Sequence, residues 1–440
     1  MKNKRLALLM AAVMTIGLTA CGGNAAQSNQ PAADTGSAAK EEKAEEEDKS
    51  EPAPAPAAAS DGQITIQYSY WGNADEAATE EAIIAAFMEQ NPDIFVEPVY
   101  VESSYEDKLQ LMIAGNTTPD VMAIGSEHIA NFSGALSEID MSGVDTSKYI
   151  SDTPLNALNY NGIQYGLPKR ANTKVIAYNK ALFDQANREY PGDTYSIDQF
   201  KEDAIAITAL GDDIFGAQSL WYGQWIYQFG GETITKDGKV VFNSKEAVDA
   251  VQFIVDGIRT YHFVPNGDES EGQSMTEWFM GGLVGVYLDC GPFNLPNFTE
   301  ITDFEWDFGP APGNGGSMEV VGVSVSATTE HPEEAKKFAE FVSTSKEAQE
   351  IIGGTTALPV TEEGKEVFLQ QFPDKNLQAF FDAATYEKAP VTMKGANLAN
   401  GILNSAIYDR TGVGNVADED VKTVLDEAAA EAQAVLDENN

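Results

Sequence analysis

Ile64-Thr65-Ile66-Gln67-Tyr68-Ser69-Tyr70-Trp71-Gly72-Asn73 decides the fold. Ile64, Ile66, Tyr68 and Tyr70 alternate with Thr65, Gln67 and Ser69, the period-2 pattern of a strand, and Trp71-Gly72-Asn73 breaks it. The spacing of Ala82, Ile83, Ala86 and Phe87 predicts a helix over 76–90, stopped by Asn91-Pro92 because proline supplies no backbone N–H. A strand through Phe95, Val96 and Val99 follows. Leu109, Met112 and Ile113 mark a second helix over 105–114 that Gly115 ends, and 120–124 reads as a buried strand. The order β-α-β-α-β argues an α/β sheet, whose ligand groups gather beyond the carboxyl ends of its strands. Trp71-Gly72-Asn73 and Gly125-Ser126-Glu127-His128 are therefore the candidate rim segments.

Upstream, Lys2, Lys4 and Arg5 precede an uncharged run from Leu6 to Ala20, the pattern of a secretory signal over 1–20 and too short for a permanent span. It closes on Leu18-Thr19-Ala20-Cys21-Gly22, which resembles the bacterial lipobox and makes Cys21 the expected lipidation site. Residues 21–62 collapse to Ala, Glu, Lys, Ser, Gln and Pro and can form no core, so they are expected to be a lipid-anchored, disordered linker. The body should then meet the membrane through its anchor only.

The chain has 440 residues, 69 Asp plus Glu against 27 Lys plus Arg, and a formal net charge of −42, which argues against nucleic-acid and anionic-lipid surfaces as partners. Cys21 and Cys290 are its only cysteines, and His128, His262 and His331 are scattered, so no metal site and no cofactor is expected. Cys290, beside the apolar run 284–288, reads as an inert buried thiol.

Downstream the alternation continues: strands at 174–178, 284–288, 304–308 and 320–325, and helices at 197–209, 245–261 and 274–280. Helical stripes then dominate at 332–343, 345–352, 376–384, 396–408 and 418–437. Two α/β lobes capped by late helices fit this order better than one continuous sheet.

Phe87-Met88-Glu89-Gln90-Asn91-Pro92, Tyr105 to Lys108 with Ala114-Gly115-Asn116, and Pro119-Asp120-Val121 resemble the first lobe of family 1 extracellular solute-binding proteins. Gly162-Ile163-Gln164-Tyr165-Gly166-Leu167-Pro168, Tyr178-Asn179-Lys180, Gly291-Pro292-Phe293 and Leu358-Pro359-Val360 follow in that family's order. The resemblance implies a two-lobed α/β fold of the type II periplasmic-binding-protein kind, with the ligand cleft between the lobes and a helical C-terminal third. Within the body, 63–440, lobe 1 would take about 63–170 plus a return near 325–375, and lobe 2 about 175–320 plus the C-terminal helices. It further implies a monomeric extracytoplasmic receptor on the bacterial cell membrane that closes on a carbohydrate and delivers it to the membrane subunits of an ABC importer.

A sugar presents apolar C–H faces and a belt of hydroxyls, so its site needs flat rings and oriented polar groups in a concavity. Trp71 lies on the predicted rim. Trp221 and Trp225 offer such rings, yet at i and i+4 on a helix they serve a core equally well. The resemblance adds Phe293, where the family more often stacks a tryptophan, and Glu127, where an acidic or amide group takes hydroxyls; Glu127 would equally favour a helix over 127–132 through its dipole. Lys169 and Arg170 fall at the interlobe crossing, where Arg170 is the better ligand donor and either can brace the hinge. Asn73, Asn172 and Asn397 sit at or near family contact segments, although asparagine is also a common cap. An exported glycoside-processing lipoprotein would need a carboxylate pair that no segment singles out. Gly-x-Ser-x-Gly, His-Glu-x-x-His and Gly-x-x-x-x-Gly-Lys are absent, so no catalytic residue is assigned. A receptor for a non-sugar solute is the other alternative.

Overall fold

Strand β1 (Ile64–Trp71) pairs in parallel with β2 (Ile94–Val101) and β3 (Val121–Gly125) in the computed structural model, which describes residues 59–60, 62–218, 222–266, 269, 274–414 and 417–440. The signal segment, Cys21, nearly all of the linker and Trp221 lie outside the described residues. Helix Ala74–Gln90 connects β1 to β2, and helix Tyr105–Ala114 connects β2 to β3. Asn73 caps the first: its Oδ1 accepts from the N–H groups of Asp75 and Glu76 at 2.9 and 3.0 Å, while Glu76 returns a bond to the Asn73 N–H at 2.9 Å. This reciprocal box fixes where strand ends and helix begins. The helix buries Ala77, Ile83, Ile84 and Phe87, and the Phe87 ring meets Phe338 edge-on at 5.0 Å.

The chain continues through a small hairpin, β4 (Asn159–Tyr160) and β5 (Ile163–Gln164), into β6 (Leu167–Asn172), β7 (Val175–Asn179), β8 (Phe215–Gln218) and β9 (Val284–Cys290). Then come β10 (Trp306–Gly309), β11 (Glu319–Val325) and β12 (Leu358–Pro359). They form a six-stranded sheet, β12-β6-β11-β3-β1-β2, and a four-stranded sheet, β10-β7-β9-β8, the cores of the two lobes. Cys290 is buried, and burial pushes its thiol pKa up. The segment expected as one helix over 127–132 is a 3-10 turn, Ser126–His128, leading into helix Ile129–Phe132.

Strand β6 was not expected, because Pro168, Lys169, Arg170 and Asn172 carry little strand propensity. It sits between β12 and β11, and strand alternation separates its two cations. Lys169 is buried against Glu80 of helix Ala74–Gln90, whose carboxylate also accepts from Tyr68 Oη at 3.1 Å. Burial pushes the Lys169 pKa down and that of Tyr68 up. Arg170 turns the other way, its guanidinium 3.6 Å from Glu76.

In the second lobe, helices Ala396–Arg410 and Val421–Asn439 lay Ala399, Leu403, Ile407, Leu425 and Ala432 into the core that also holds Val251 and Ile254 of helix Lys245–Arg259. Another apolar cluster contains Val320 and Leu358 from the first sheet and Ala177 and Phe308 from the second, so apolar packing runs through the crossing. No helix among the described residues is long and apolar enough to cross a membrane.

Candidate functional site

Three passages join the lobes. Thr173 and Lys174 alone separate β6 from β7, residues 310–318 lead from β10 to β11, and residues 387–395 lead into helix Ala396–Arg410. Thr173 Oγ1 donates to the Phe380 carbonyl at 2.9 Å, and the Lys174 N–H to Glu387 Oε1 at 3.0 Å. Met318 N–H donates to the Lys388 carbonyl and Lys388 N–H to the Gly316 carbonyl, both at 3.0 Å. Gln224, from helix Tyr222–Gln228, accepts from the Ser317 N–H at 3.0 Å and Oγ at 2.8 Å. The passages are thus one hydrogen-bonded bundle. Glu387 is buried within it, and burial pushes its carboxyl well above the usual range, with Lys174 opposing and Glu319 adding.

Against this bundle lies a cavity of about 380 Å³ walled by both lobes. Ser126 and Glu127 come from the end of β3, Gln224 and Tyr227 from the second lobe, Ser317 and Glu319 from the crossing, and Asn397, Asn400 and Asn404 from helix Ala396–Arg410. The Glu127 carboxylate folds back over Gly125, where a Cβ would stand 2.5 Å from Oε1. Its side chain is 43% exposed to the cleft. Desolvation by the surrounding protein nevertheless raises its pKa; its own N–H and His128 oppose, and Glu319 and Glu106 add. His128 faces Glu127 at 3.6 Å and Glu106 at 3.8 Å through Nε2, and its Nδ1 meets Asn397 Nδ2 at 3.5 Å, a contact between lobes. Thr392 Oγ1, from the third passage, donates to the Ser126 carbonyl at 3.1 Å.

Of the residues anticipated from sequence, Glu127 and Asn397 line this cavity. Asn172 reaches its edge by donating to Glu319 Oε2 at 2.8 Å. Lys174 Nζ sits 3.8 Å from the same Glu319 oxygen and 4.9 Å above the Phe293 ring, which is half exposed and lies back over Gly291, where a Cβ would clash at 2.3 Å. Phe293 is thereby held beside Lys174 of the crossing, and it does not line the cavity.

The others do not line this cavity. Asn73 is the helix cap described above, and Arg170 braces Glu76. Trp71 packs against Tyr105 at 4.8 Å, on the rim of the first lobe's core. Trp225 corrects the expectation of a cleft ring: it is fully buried, with its ring stacked on Phe253 at 5.0 Å and 5.6 Å from Phe200. The i, i+4 face that carries it turns into the second lobe's core. Sequence reasoning missed Gln224, Glu319, Asn400 and Asn404. Asn397, Asn400 and Asn404, at i, i+3 and i+7, form a polar helix face that the spacing itself would have disclosed. A larger cavity, about 1260 Å³, shares Tyr227 and Pro390 with the first, and no anticipated site residue lines it.

Comparison with known proteins places this geometry. The chain is 24% identical over 326 residues to maltodextrin-binding protein MdxE of Bacillus subtilis, covering 69% of this chain and 74% of that one. An ABC substrate-binding protein of Listeria monocytogenes, solved in complex with cycloalternan, superposes with a TM-score of 0.73 at 24% identity over 85% of this chain and 99% of that one. The sugar-binding protein MalE of Xanthomonas citri gives 0.74 at 19%, over 85% and 98%. Those structures share the two-lobed type II architecture seen here. Since the family model for the bacterial extracellular solute-binding protein matches residues 70–349, most of the folded body, the chain belongs to the bacterial extracellular solute-binding proteins.

Proposed function

We propose that the protein is an extracytoplasmic receptor that captures a sugar or oligosaccharide between its lobes and hands it, unaltered, to an ABC importer. The observation that carries the reading is the cavity walled by both lobes, with carboxamides and carboxylates around it and, beside Lys174 that reaches Glu319, the half-exposed Phe293 ring. Carboxamides donate and accept, as sugar hydroxyls do, and a ring face suits pyranose C–H groups. The maltodextrin-binding relative and the sugar-bound neighbour support the same ligand class.

Closure of the lobes on the ligand expels water while each buried hydroxyl finds a partner. Glu127, Asn172 and Asn397 are the proposed polar contacts and Phe293 the stacking platform. A thermal-shift screen against a carbohydrate panel tests this, since ligand at 100 times Kd adds roughly 2.7 kcal/mol of stability. Recovery of the bound sugar intact is expected, whereas a cleaved product would make the protein a glycoside-processing enzyme. Lipidation at Cys21 supplies the proposed membrane attachment. Cys21→Ser should release the body or leave it unprocessed; a variant that fractionates with membranes as wild type does would remove the anchor from this account.

A further inference from the structure

The 3-10 turn Ser126–His128, just past β3 in the first lobe, is gripped at both ends by residues that lead into the second. Thr392 Oγ1 reaches the Ser126 carbonyl at 3.1 Å, and Asn397 Nδ2 meets His128 Nδ1 at 3.5 Å. Glu127, the proposed ligand contact, lies between these two points. Thr392 also has a second acceptor. Its hydroxyl stands 3.3 Å from the carbonyl of Ala157, the C-cap of the short helix Thr153–Asn156. A hydroxyl has one proton to donate, so the two carbonyls compete for it.

Donor and acceptors ride on different bodies. Ser126 and Ala157 belong to the first lobe and are each only 4% exposed. The chain that carries Thr392 is fastened to the second lobe directly afterwards: Met393 packs against that lobe's core, and the Lys394 carbonyl accepts from Asn440 Nδ2 at 2.9 Å, at the end of helix Val421–Asn439. Thr392 also stands where the two cavities adjoin. Ser126 lines the cleft cavity, Ala157 and Thr392 line the larger one, and Pro390 of the same passage lines both. A bond that is equally good in the free and the liganded protein adds stability and leaves affinity unchanged; only one that differs between the two lobe arrangements is coupled to the ligand. A hydroxyl on one lobe between two acceptors on the other meets that condition, because relative movement of the lobes shifts it from one carbonyl toward the other.

We propose that Thr392 is a two-acceptor latch between the lobes, whose hydroxyl passes from the Ala157 carbonyl to the Ser126 carbonyl as the lobes close and so fixes Glu127 in its liganded place. Thr392 is thus a positioning residue that acts through the Ser126 carbonyl without touching the ligand. The inference rests on the receptor reading above and adds to it the contact by which lobe angle reaches the ligand wall.

The test compares wild type, Thr392→Val and Thr392→Ser by small-angle scattering without ligand and by calorimetric titration with malto-, galacto- and arabino-oligosaccharides. Valine keeps the branched shape and deletes the donor; serine keeps the donor. Thr392→Val should bind its sugar up to about tenfold more weakly, the scale of one hydrogen bond, and Thr392→Ser should stay within about twofold of wild type. Without ligand, the valine variant should show a larger radius of gyration than wild type, since the lobes lose a tie, and the serine variant should not. Should the valine variant fail to fold, Thr392→Ala carries the same expectations. A valine variant that melts lower yet scatters like wild type and binds within about twofold of it makes the hydroxyl a structural bond only and overturns the latch. An affinity loss that serine does not repair overturns it as well. If wild-type protein binds nothing on the panel, the carbohydrate reading falls, and the ligand-free scattering alone decides the latch, an unchanged radius of gyration in the valine variant overturning it.

Discussion

Trp225 and Phe293 are both large rings in the second lobe, and the fold uses them in opposite ways. Trp225 sits mid-helix among Phe200, Phe229 and Phe253 and has no exposed surface. Phe293 follows Gly291-Pro292 just past the end of β9, and half the ring remains exposed. The difference lies in backbone context, since a helix interior surrounds a ring with neighbours while a strand end can offer it to solvent. A ring of the first kind stabilises the lobe; one of the second kind is available to a ligand.

Truncation separates the two most sharply. Trp225→Ala should cost roughly 3–5 kcal/mol in urea unfolding, with sugar affinity of the folded fraction unchanged. A loss of affinity without that instability would put Trp225 back in the site. Phe293→Ala should behave inversely, losing about tenfold in affinity, near the 1.4 kcal/mol scale of an aromatic contact, with little change in melting temperature. If affinity holds while the protein destabilises, Phe293 belongs with Trp225.

Asn73 extends the contrast to a polar residue. As a cap it should cost about 1 kcal/mol when changed to alanine, Asn73→Asp should restore most of that, and neither should touch affinity. An affinity loss that aspartate does not repair would make it a ligand contact. Glu387, between core and cleft, gives the smallest expected effect. Its pKa is raised in the folded state, so the native protein binds more protons than the unfolded chain once pH exceeds the ordinary carboxylate value. Stability from this group is therefore full below that value and falls as pH rises toward the raised one. Glu387→Gln, which keeps an acceptor for the Lys174 N–H, should flatten the decline in urea midpoint measured across pH; an unchanged slope would mean the carboxyl is not burdened by burial.

Much of the first lobe was legible from residues 64–125, because period-2 and helical spacings there are clean and Asn73, Pro92 and Gly115 punctuate them. Strand β6 was not, since what makes Lys169 tolerable in a central strand is Glu80, far away in sequence. The site divides similarly. Glu127 was readable from the rule about strand ends, and the structure sets it on the cavity wall. Glu319 and Gln224 were not, because their roles arise only where a crossing segment meets a helix of the other lobe. The fate of Trp225 likewise depended on Phe253, which no local pattern pairs with it.

The unequal crossings have a mechanical consequence. β6 and β11 are adjacent in the first sheet, and their continuations β7 and β10 are adjacent in the second, so two of the three passages form a two-stranded ribbon. On one side the ribbon has only Thr173 and Lys174, both buried, Thr173 tied to Phe380 of helix Gln378–Tyr386 and Lys174 to the third passage; on the other it has residues 310–318, pinned at Gly313, Ser317 and Met318. A change in the angle between lobes has the least chain to bend at Thr173-Lys174, and the hydrogen bonds that these two residues make must move with it.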